Sequence, residues 1–489
     1  MKKKVFIGVR LRRLREERQL TQQALARSLG LSLSYLNQLE NNQRPVTTQV
    51  LLRLNAVFGG EIALLSESDE ARLIADLRDV LADPLAGEHL TLAEMRELAV
   101  TMPAVGHAFV ALHRRYRQAL EQSAGLALRL DGEGRAGEGR FSGVHGGAAQ
   151  PAADMALSSA PFEEVREFMY ERHNHVAELD EIAEATALAE QLRPGNPAEE
   201  LAALIARRHG VRVETGAADE ADIQRSYGQQ TRVLRLSPRL RAGQRAFQIA
   251  TQLAFLEHDG LLNDLVAKGS FSSPEARRLA RIGLASYFAG ALILPYVHFL
   301  QTAERLRYDI DLLSHTFGLG FETISHRLST LQRPGARGVP FFFIRVDRAG
   351  NISKRQSATD FHFSRVGGTC PLWNVYEAFA HPGRVLTQLA RMPDGRSYLW
   401  IARTVSRDHG GYRAPSKTFA VALGCDLRHA GRLVYSDGLD LANPGAATPI
   451  GVGCKVCERP ACPQRAFPSI GHALMVDETQ RNFSPYSVV

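Results

Sequence analysis

The 489-residue sequence predicts a multidomain chain, mainly α through its N-terminal and middle regions, with an α+β domain at its C-terminal end. Three observations carry that prediction. Apolar residues recur at three- and four-residue spacing from Leu11 to about residue 333, the period of amphipathic helices. That pattern is interrupted once, over 131–159, where DGEGRAGEGR opens a Gly- and Ala-rich stretch without apolar period that reads as a flexible linker. From Val339 onward the pattern changes to strands at Phe341–Val346, Val385–Ala390, Tyr398–Val405 and Thr418–Leu423, punctuated by turns at Ala349-Gly350-Asn351 and Pro393-Asp394-Gly395.

Length supports about three to four domains at roughly 100–200 residues each. The divisions fall at 1–60, a basic helical head; 61–130, a helical connector and dimerisation element; 131–159, the linker; 160–335, a helical domain; and 336–489, the α+β domain. In the connector, Leu64, Leu73, Leu77 and Leu81, then Phe109, Leu112, Tyr116 and Leu120, are expected to form buried helix faces.

Charge is unevenly placed. The chain carries +7 overall, but residues 1–60 hold three lysines and eight arginines against Glu16, Glu17 and Glu40, so the head is +8 and the remainder −1. A basic pole on a neutral body implies a polyanionic partner and excludes a uniformly basic surface binder. Five cysteines, mostly near the C-terminus, are not a secreted disulfide framework and point to metal or redox chemistry in a reducing compartment. Arg10, Arg12 and Arg13 interrupt any apolar core of a secretion signal. The most apolar stretch, Leu284–Leu300, falls short of the ~20 residues that span a bilayer and contains Pro295 and His298. A cytoplasmic protein without membrane contact is expected.

Within the head, Thr21 is placed to cap a helix over Gln22–Leu29, Gly30 to turn the chain, and Ser32 to cap a second helix. Leu25, Leu29, Leu36 and Leu39 then face inward, beside Leu11 and Leu14 of a preceding helix. Leu33, Ser34, Asn37 and Gln38 are left on a short polar outer face, suited to the major groove of double-stranded DNA. Asn37 and Gln38 carry the amide pair that matches adenine, Ser34 serves donors or acceptors, and Leu33 meets a thymine methyl. Gln22, Ser32, Asn41 and Arg44, at helix starts and just past the second helix, complete the expected contacts as phosphate neighbours. The run TQQALARSLGLSLSYLNQLENNQRPVT resembles the XRE (Cro/phage-repressor) helix-turn-helix family.

In the middle region, RAFQIATQLAFLE followed about thirty residues later by ASYFAGALILP resembles the IrrE-like zinc peptidases. That chemistry needs two histidines one turn apart with a glutamate between them as base. Thr251, Gln252 and Phe255 stand at those positions, Ile282-Gly283-Leu284 supplies no third carboxylate, and His258 is isolated. Peptidase activity is therefore not expected. Phe255, Tyr287, Phe288 and Leu292 either line a residual apolar cleft or fill an ordinary core.

The C-terminal motif GVGCKVCERPACPQRAFP places Cys454, Cys457 and Cys462 as C-x2-C-x4-C, with Cys370 in GGTCPLW a remote fourth thiol. Four such thiolates suit either Zn2+ or an iron–sulfur cluster. Prolines after Cys370 and Cys462 and the absence of a second C-x2-C lean toward the cluster. Cys425 is left over as a small buried residue.

Taken together, these regions resemble the short-chain fatty acyl transcriptional regulators over nearly the full length, most specifically at YFAGALILPY, RYDIDLLSHTF, GVPFFFIRVDRAGNISKR, GGTCPLWNVYEAF and CKVCERPACPQRAFP. The resemblance implies an acyl-CoA-responsive regulator of propionate, methylcitrate or glyoxylate-bypass genes, working as a homo-oligomer (a dimer or tetramer). It further implies a [4Fe–4S] cluster on Cys370, Cys454, Cys457 and Cys462. Propionyl-CoA or a similar effector would need cations for its phosphates. Arg245, Arg307 and Arg327 are the candidates, with Tyr287 beside the acyl group. The alternatives are an iron–sulfur redox sensor indifferent to acyl-CoA, and a metallopeptidase-type regulator.

Overall fold

The computed structural model describes residues 8–17, 20–41, 43–44, 47, 49–50, 53–54, 72–78, 80–81, 91–113, 115–116, 161–195, 197–216, 223–358, 370–408, 413, 416–451, 453–454, 457, 459, 462–468 and 479. The expected linker, Leu64 and Leu120 lie outside them, as does the side chain of Leu14. The chain divides into two units that meet at about residue 114, and each is described by itself.

In the first unit, α1 (Gly8–Glu17), α2 (Gln22–Leu29) and α3 (Leu33–Glu40) close around Leu11, Leu25, Ala26, Leu29, Leu36, Leu39, Val50 and Leu54. The start and stop signals act as the sequence predicts. Ala24 N–H donates to Thr21 Oγ1 at 3.1 Å, and Tyr35 N–H to Ser32 Oγ at 3.2 Å. Gly30 takes the left-handed conformation, φ +60°, that ends α2 and aims α3 away from it. A second core joins the helical residues 72–78, α4 (Leu92–Thr101) and the helical residues 103–113 through Leu73, Leu77, Val80, Met95, Ala99 and Val110. Here one expectation is corrected. Val110 and Gly106 face this core, so Phe109, Leu112 and Tyr116 point outward and are 40%, 66% and 39% exposed.

The second unit opens with α5 (Pro161–Glu171), α6 (Ala177–Ala189) and α7 (Ala198–His209). A three-stranded sheet of β1 (Arg212–Thr215), β2 (Arg225–Gly228) and β3 (Val233–Leu236) follows, β3 central, parallel to β1 and antiparallel to β2. The helical reading of 160–335 missed this sheet because four-residue strands carry too few alternations to register. Next come α8 (Ala242–Glu257), α9 (Asp259–Ala267), α10 (Pro274–Ile293), α11 (Tyr296–Arg305), α12 (Ile310–Phe317) and α13 (Phe321–Leu328). Among the described residues no single helix is long and apolar enough to cross a membrane; α10 and α11 pass that test only together, bent by 63°.

A six-stranded sheet completes the unit in the order β5-β4-β8-β7-β6-β9, from β4 (Phe342–Val346), β5 (Ile352–Ser357), β6 (Leu386–Arg391), β7 (Ser397–Asp408), β8 (Ser416–Asp426) and β9 (Thr448–Pro449). All neighbours are antiparallel except β6 and β9. Both faces are buried, which is why PFFFIRV reads as an unbroken apolar run. Phe343, Leu399, Ile401, Val421, Leu423 and Cys425 face the helices and join their core. Phe342, Ile344, Trp400, Ala402 and Ala422 face the other way, onto Cys370, Trp373, Val375 and Ile450. One face of the sheet therefore continues the core of 160–335, while the other face has a core of its own within 336–489. A Cβ on Gly424 would lie 1.9 Å from the Phe342 ring, so only glycine lets that ring pack 4.5 Å from Trp400.

His326 on α13 is half-buried and packs against the Phe343 ring, with centroids 5.7 Å apart. Burial, with Lys354, Arg327 and Arg345 adding to it, holds its imidazole well below the usual value of 6.5. The unfolded chain thus binds a proton here that the folded chain does not. Stability from this group is full above pH 6.5 and is lost as pH falls below it. Unfolding measured across that range should show a sloping stability in wild type that flattens in His326→Gln.

Candidate functional site

The head presents one readable surface. On α3, Leu33 is 48% exposed, Ser34 and Asn37 are exposed, and Gln38 is half-buried. Asn41 Nδ2 donates to Asn37 Oδ1 at 3.0 Å, which pre-orients one amide, and the Arg44 guanidinium lies 5.7 Å from the Tyr35 ring centroid. Ser32 is committed to capping, although it remains exposed. Gln22 is corrected: its Nε2 donates to the buried Glu40 carboxylate at 2.7 Å, so its side chain is not free for a phosphate. Arg15 binds the same carboxylate through Nε at 2.8 Å and Nη2 at 3.2 Å, tying α1, α2 and α3 together. Glu40→Ala should strip Arg15 and Gln22 of their shared acceptor and cost about 1–3 kcal/mol of head stability. Thermal unfolding followed by loss of DNA binding at a lower temperature would check this.

Cys370, Cys457 and Cys462 approach one another beside the large sheet, and Cys454 lies in the same loop as Cys457. Cys370, Cys454 and Cys457 are buried, and Cys462 is half-buried. Gly451 sits where Cys370 and Cys457 meet: its N–H donates to Cys370, and a Cβ there would lie 2.6 Å from Cys457 Sγ. Leu372 N–H also donates to Cys370, Arg459 N–H to Cys457, and Ala466 N–H to Cys454 Sγ at 3.2 Å. Burial pushes the Cys370 and Cys457 thiols up, with neighbouring thiols adding to the rise. Arg465, almost fully buried, threads the loop and donates to the carbonyls of Cys454 at 3.4 Å and Cys457 at 3.0 Å. Its Nε has no partner among the described residues. Trp373 Nε1 anchors the loop to the sheet through Gly451 O at 3.1 Å. Among the described residues no three groups already stand at the mutual distances of a metal shell. Even so, the donor set fits an anionic thiolate-bound group: four sulfurs, several N–H donors on three of them, and a buried cation beside them. Cys425 is excluded by topology, because it points to the opposite face of β8 and burial raises its thiol to about 12.

The peptidase-like helix α8 keeps Thr251 and Gln252 buried and Phe255 half-buried. Tyr287, Phe288 and Leu292 are 5%, 0% and 1% exposed and belong to the packed core, which corrects the idea that they line an open cleft. Tyr287 and Arg327 instead close a buried network on Asp180 of α6. Tyr287 Oη donates to Asp180 Oδ2 at 2.7 Å, Arg327 Nη2 to Asp180 Oδ1 at 2.6 Å, and Arg327 Nε to Leu294 O at 3.1 Å. Burial raises the Asp180 carboxyl, but Arg327, His175 and Tyr287 outweigh it and hold it below the usual range. Arg327 has its nitrogens engaged and is not a phosphate ligand. Arg307 forks onto Asp437 at 2.8 and 3.0 Å. Of the three arginines only Arg245, exposed and donating through Nε to Leu240 O at 3.0 Å, keeps its terminal nitrogens open among the described residues.

A capped helix pair with an exposed amide-bearing helix, on a body whose peptidase positions hold no metal ligand, defines a helix-turn-helix transcriptional regulator. Comparisons place it further. Residues 11–65 match a helix-turn-helix model, 206–329 the IrrE N-terminal-like domain, and 330–486 the C-terminal domain of the short-chain fatty acyl coenzyme A regulators. The chain is 51% identical over 484 residues to the HTH-type transcriptional regulator PrpR of Mycobacterium tuberculosis, covering 99% of this chain and 96% of that protein. It is 48% identical over 487 residues to RamB of the same species, covering 99% of both. It is 42% identical over 494 residues to the propionyl-CoA carboxylase regulator of Cereibacter sphaeroides, covering 100% of both. A solved Mycobacterium tuberculosis transcriptional regulator superposes with a TM-score of 0.65 at 55% identity, over 67% of this chain and 99% of its own. The chain belongs to the short-chain fatty acyl coenzyme A regulator family.

Proposed function

We propose that the protein is a one-component transcription factor of the cytoplasm whose head reads double-stranded operator DNA and whose body senses propionyl-CoA or a similar acyl-CoA. The observation that carries this is the α3 face, with Leu33, Ser34 and Asn37 turned to solvent and Gln38 half-buried beside them, over a core of leucines on a +8 head. Phosphate contacts fall to the α2 N-terminus at Gln22, through backbone N–H rather than its amide, and to Ser32, Asn41 and Arg44. The printed name of the Cereibacter relative supports short-chain acyl-CoA metabolism as the regulated process. Cys370, Cys454, Cys457 and Cys462 would hold a [4Fe–4S] cluster, with Zn2+ the alternative. Once bound, that group supplies redox and oxygen sensitivity. No catalytic role is assigned to any residue.

A homodimer, or a tetramer built from it, places two recognition helices about one DNA turn apart. It is supported by the outward-facing Val105, Phe109 and Leu112 of the first unit, whose four-three spacing is that of a coiled-coil seam. Effector binding would shift dimer geometry only through different affinities for the two states.

Fluorescence anisotropy on promoter DNA tests the DNA contacts. Gln38→Ala should weaken operator binding roughly 5- to 150-fold, the cost of one base pairing of about 1–3 kcal/mol. Log affinity should fall by about 0.9 per neutralised phosphate for each decade of salt. A salt-insensitive complex, or equal binding by wild type and variant, would sink the assignment.

A further inference from the structure

Where the peptidase family places its metal, this chain gathers positive charge of its own. Phe255 occupies the position of the second metal histidine on α8, and guanidinium groups from two other elements approach its ring. Arg225 of β2 lies 5.5 Å from the ring centroid and Arg281 of α10 lies 5.9 Å from it. Arg281 is also next to the Ile282-Gly283-Leu284 segment in which the third metal ligand is missing.

These groups are only partly satisfied. Arg225 is half-buried, and its one hydrogen bond among the described residues is a long 3.5 Å contact to Gln248 O. Burial lowers its pKa with no carboxylate to offset the desolvation. Arg281 gives one nitrogen to Asp259, the carboxylate at this rim, but its Nε is buried without a partner. His258, between α8 and α9, packs 4.8 Å from the Phe288 ring, and its Nε2 is likewise buried and unpartnered. Buried polar atoms are nearly always satisfied, so two unpartnered nitrogens, Arg281 Nε and His258 Nε2, beside a desolvated Arg225 call for a missing acceptor. Two guanidiniums call for an anion, their planar forks match phosphate oxygens, and a phenyl ring beside them suits a stacked base.

We propose that Arg225 and Arg281 form a phosphate seat at the vacated metal position, flanked by Phe255 and His258, and that it receives the phosphate-bearing end of a nucleotide-type ligand. Coenzyme A thioesters are one such ligand. The identification of the ligand rests on the effector assignment above, but the anion class does not. Arg245 lies on the same helix α8, ten residues or about 15 Å toward its N-terminus and about 80° around the axis.

Calorimetric titration of the full-length protein with propionyl-CoA, ADP and inorganic phosphate tests the seat. Wild type is compared with Arg225→Gln, Arg225→Lys and Arg281→Gln, with the exposed Arg235→Gln as control and circular dichroism to verify folding. The expected result is a loss of about ten-fold or more for propionyl-CoA and ADP in both glutamine variants, partial recovery in Arg225→Lys, and no change in Arg235→Gln. Equal propionyl-CoA affinity in every variant would overturn the seat and leave the effector assignment standing. ADP or phosphate binding that depends on Arg225, without propionyl-CoA binding, would uphold the seat and remove the effector. Binding of none of the three by wild type would overturn both.

Discussion

Serine at any one of Cys370, Cys454, Cys457 or Cys462 is expected to abolish the brown, iron- and sulfide-containing chromophore that the proposed cluster would give anaerobically prepared wild-type protein. Serine at Cys425 should leave it intact. The size of the effect follows from the geometry. N–H donors reach Cys370, Cys454 and Cys457, and Arg465 is buried beside the loop, so in the proposed cluster each missing thiolate would open the shell. Cys425 sits on the other face of the sheet, walled off by β8 itself. Iron and sulfide analysis should give about four of each per chain in wild type and near none in the four variants. Stoichiometric zinc without iron, or full iron retention in Cys370→Ser, would remove the cluster from the account.

The second large effect lies in the helical core. Asp180→Asn should strip Arg327 of its counter-charge while leaving it 3% exposed, at a cost of about 3–5 kcal/mol. Replacing both partners by Asp180→Leu and Arg327→Met should recover most of that, because the penalty lies in the unpaired buried charge. The pH dependence has a defined sign. The folded carboxyl is held below its usual 3.8, so the unfolded chain binds the proton more readily. Its stabilisation is complete above about pH 4 and is lost as the solution is acidified through the folded value. Denaturant unfolding at several pH values should show that acid limb in wild type and lose it in the double variant. A single variant as stable as wild type would mean the pair carries no net stability.

How much of this could be read from the chain depends on how local the signal is. Thr21, Gly30 and Ser32 act on their own neighbours, so the caps and turn of the head were legible almost residue by residue. The role of Gln22 was not, because its partner Glu40 is 18 residues away. The Asp180–Arg327 pair spans 147 residues and left Arg327 looking like a spare cation for phosphate. The outward turn of Phe109 and Leu112 was hidden for a related reason: periodicity finds an apolar face but not which side the rest of the protein covers. Both faces of β4, β7 and β8 are apolar, which marked strands correctly but concealed that one face belongs to the preceding helical region. Arg225 and Arg281 had no sequence signal beyond their nearness to positions where metal ligands are missing.

The central claim, DNA binding set by an acyl-CoA, is tested most directly by operator affinity measured with and without propionyl-CoA, in anaerobic cluster-loaded protein and in air-oxidised protein. The account predicts that propionyl-CoA shifts the affinity of the cluster-loaded protein by roughly 5- to 150-fold, the range of an ordinary allosteric coupling. An affinity that ignores propionyl-CoA and changes only on oxidation would contradict it and make the protein a redox sensor.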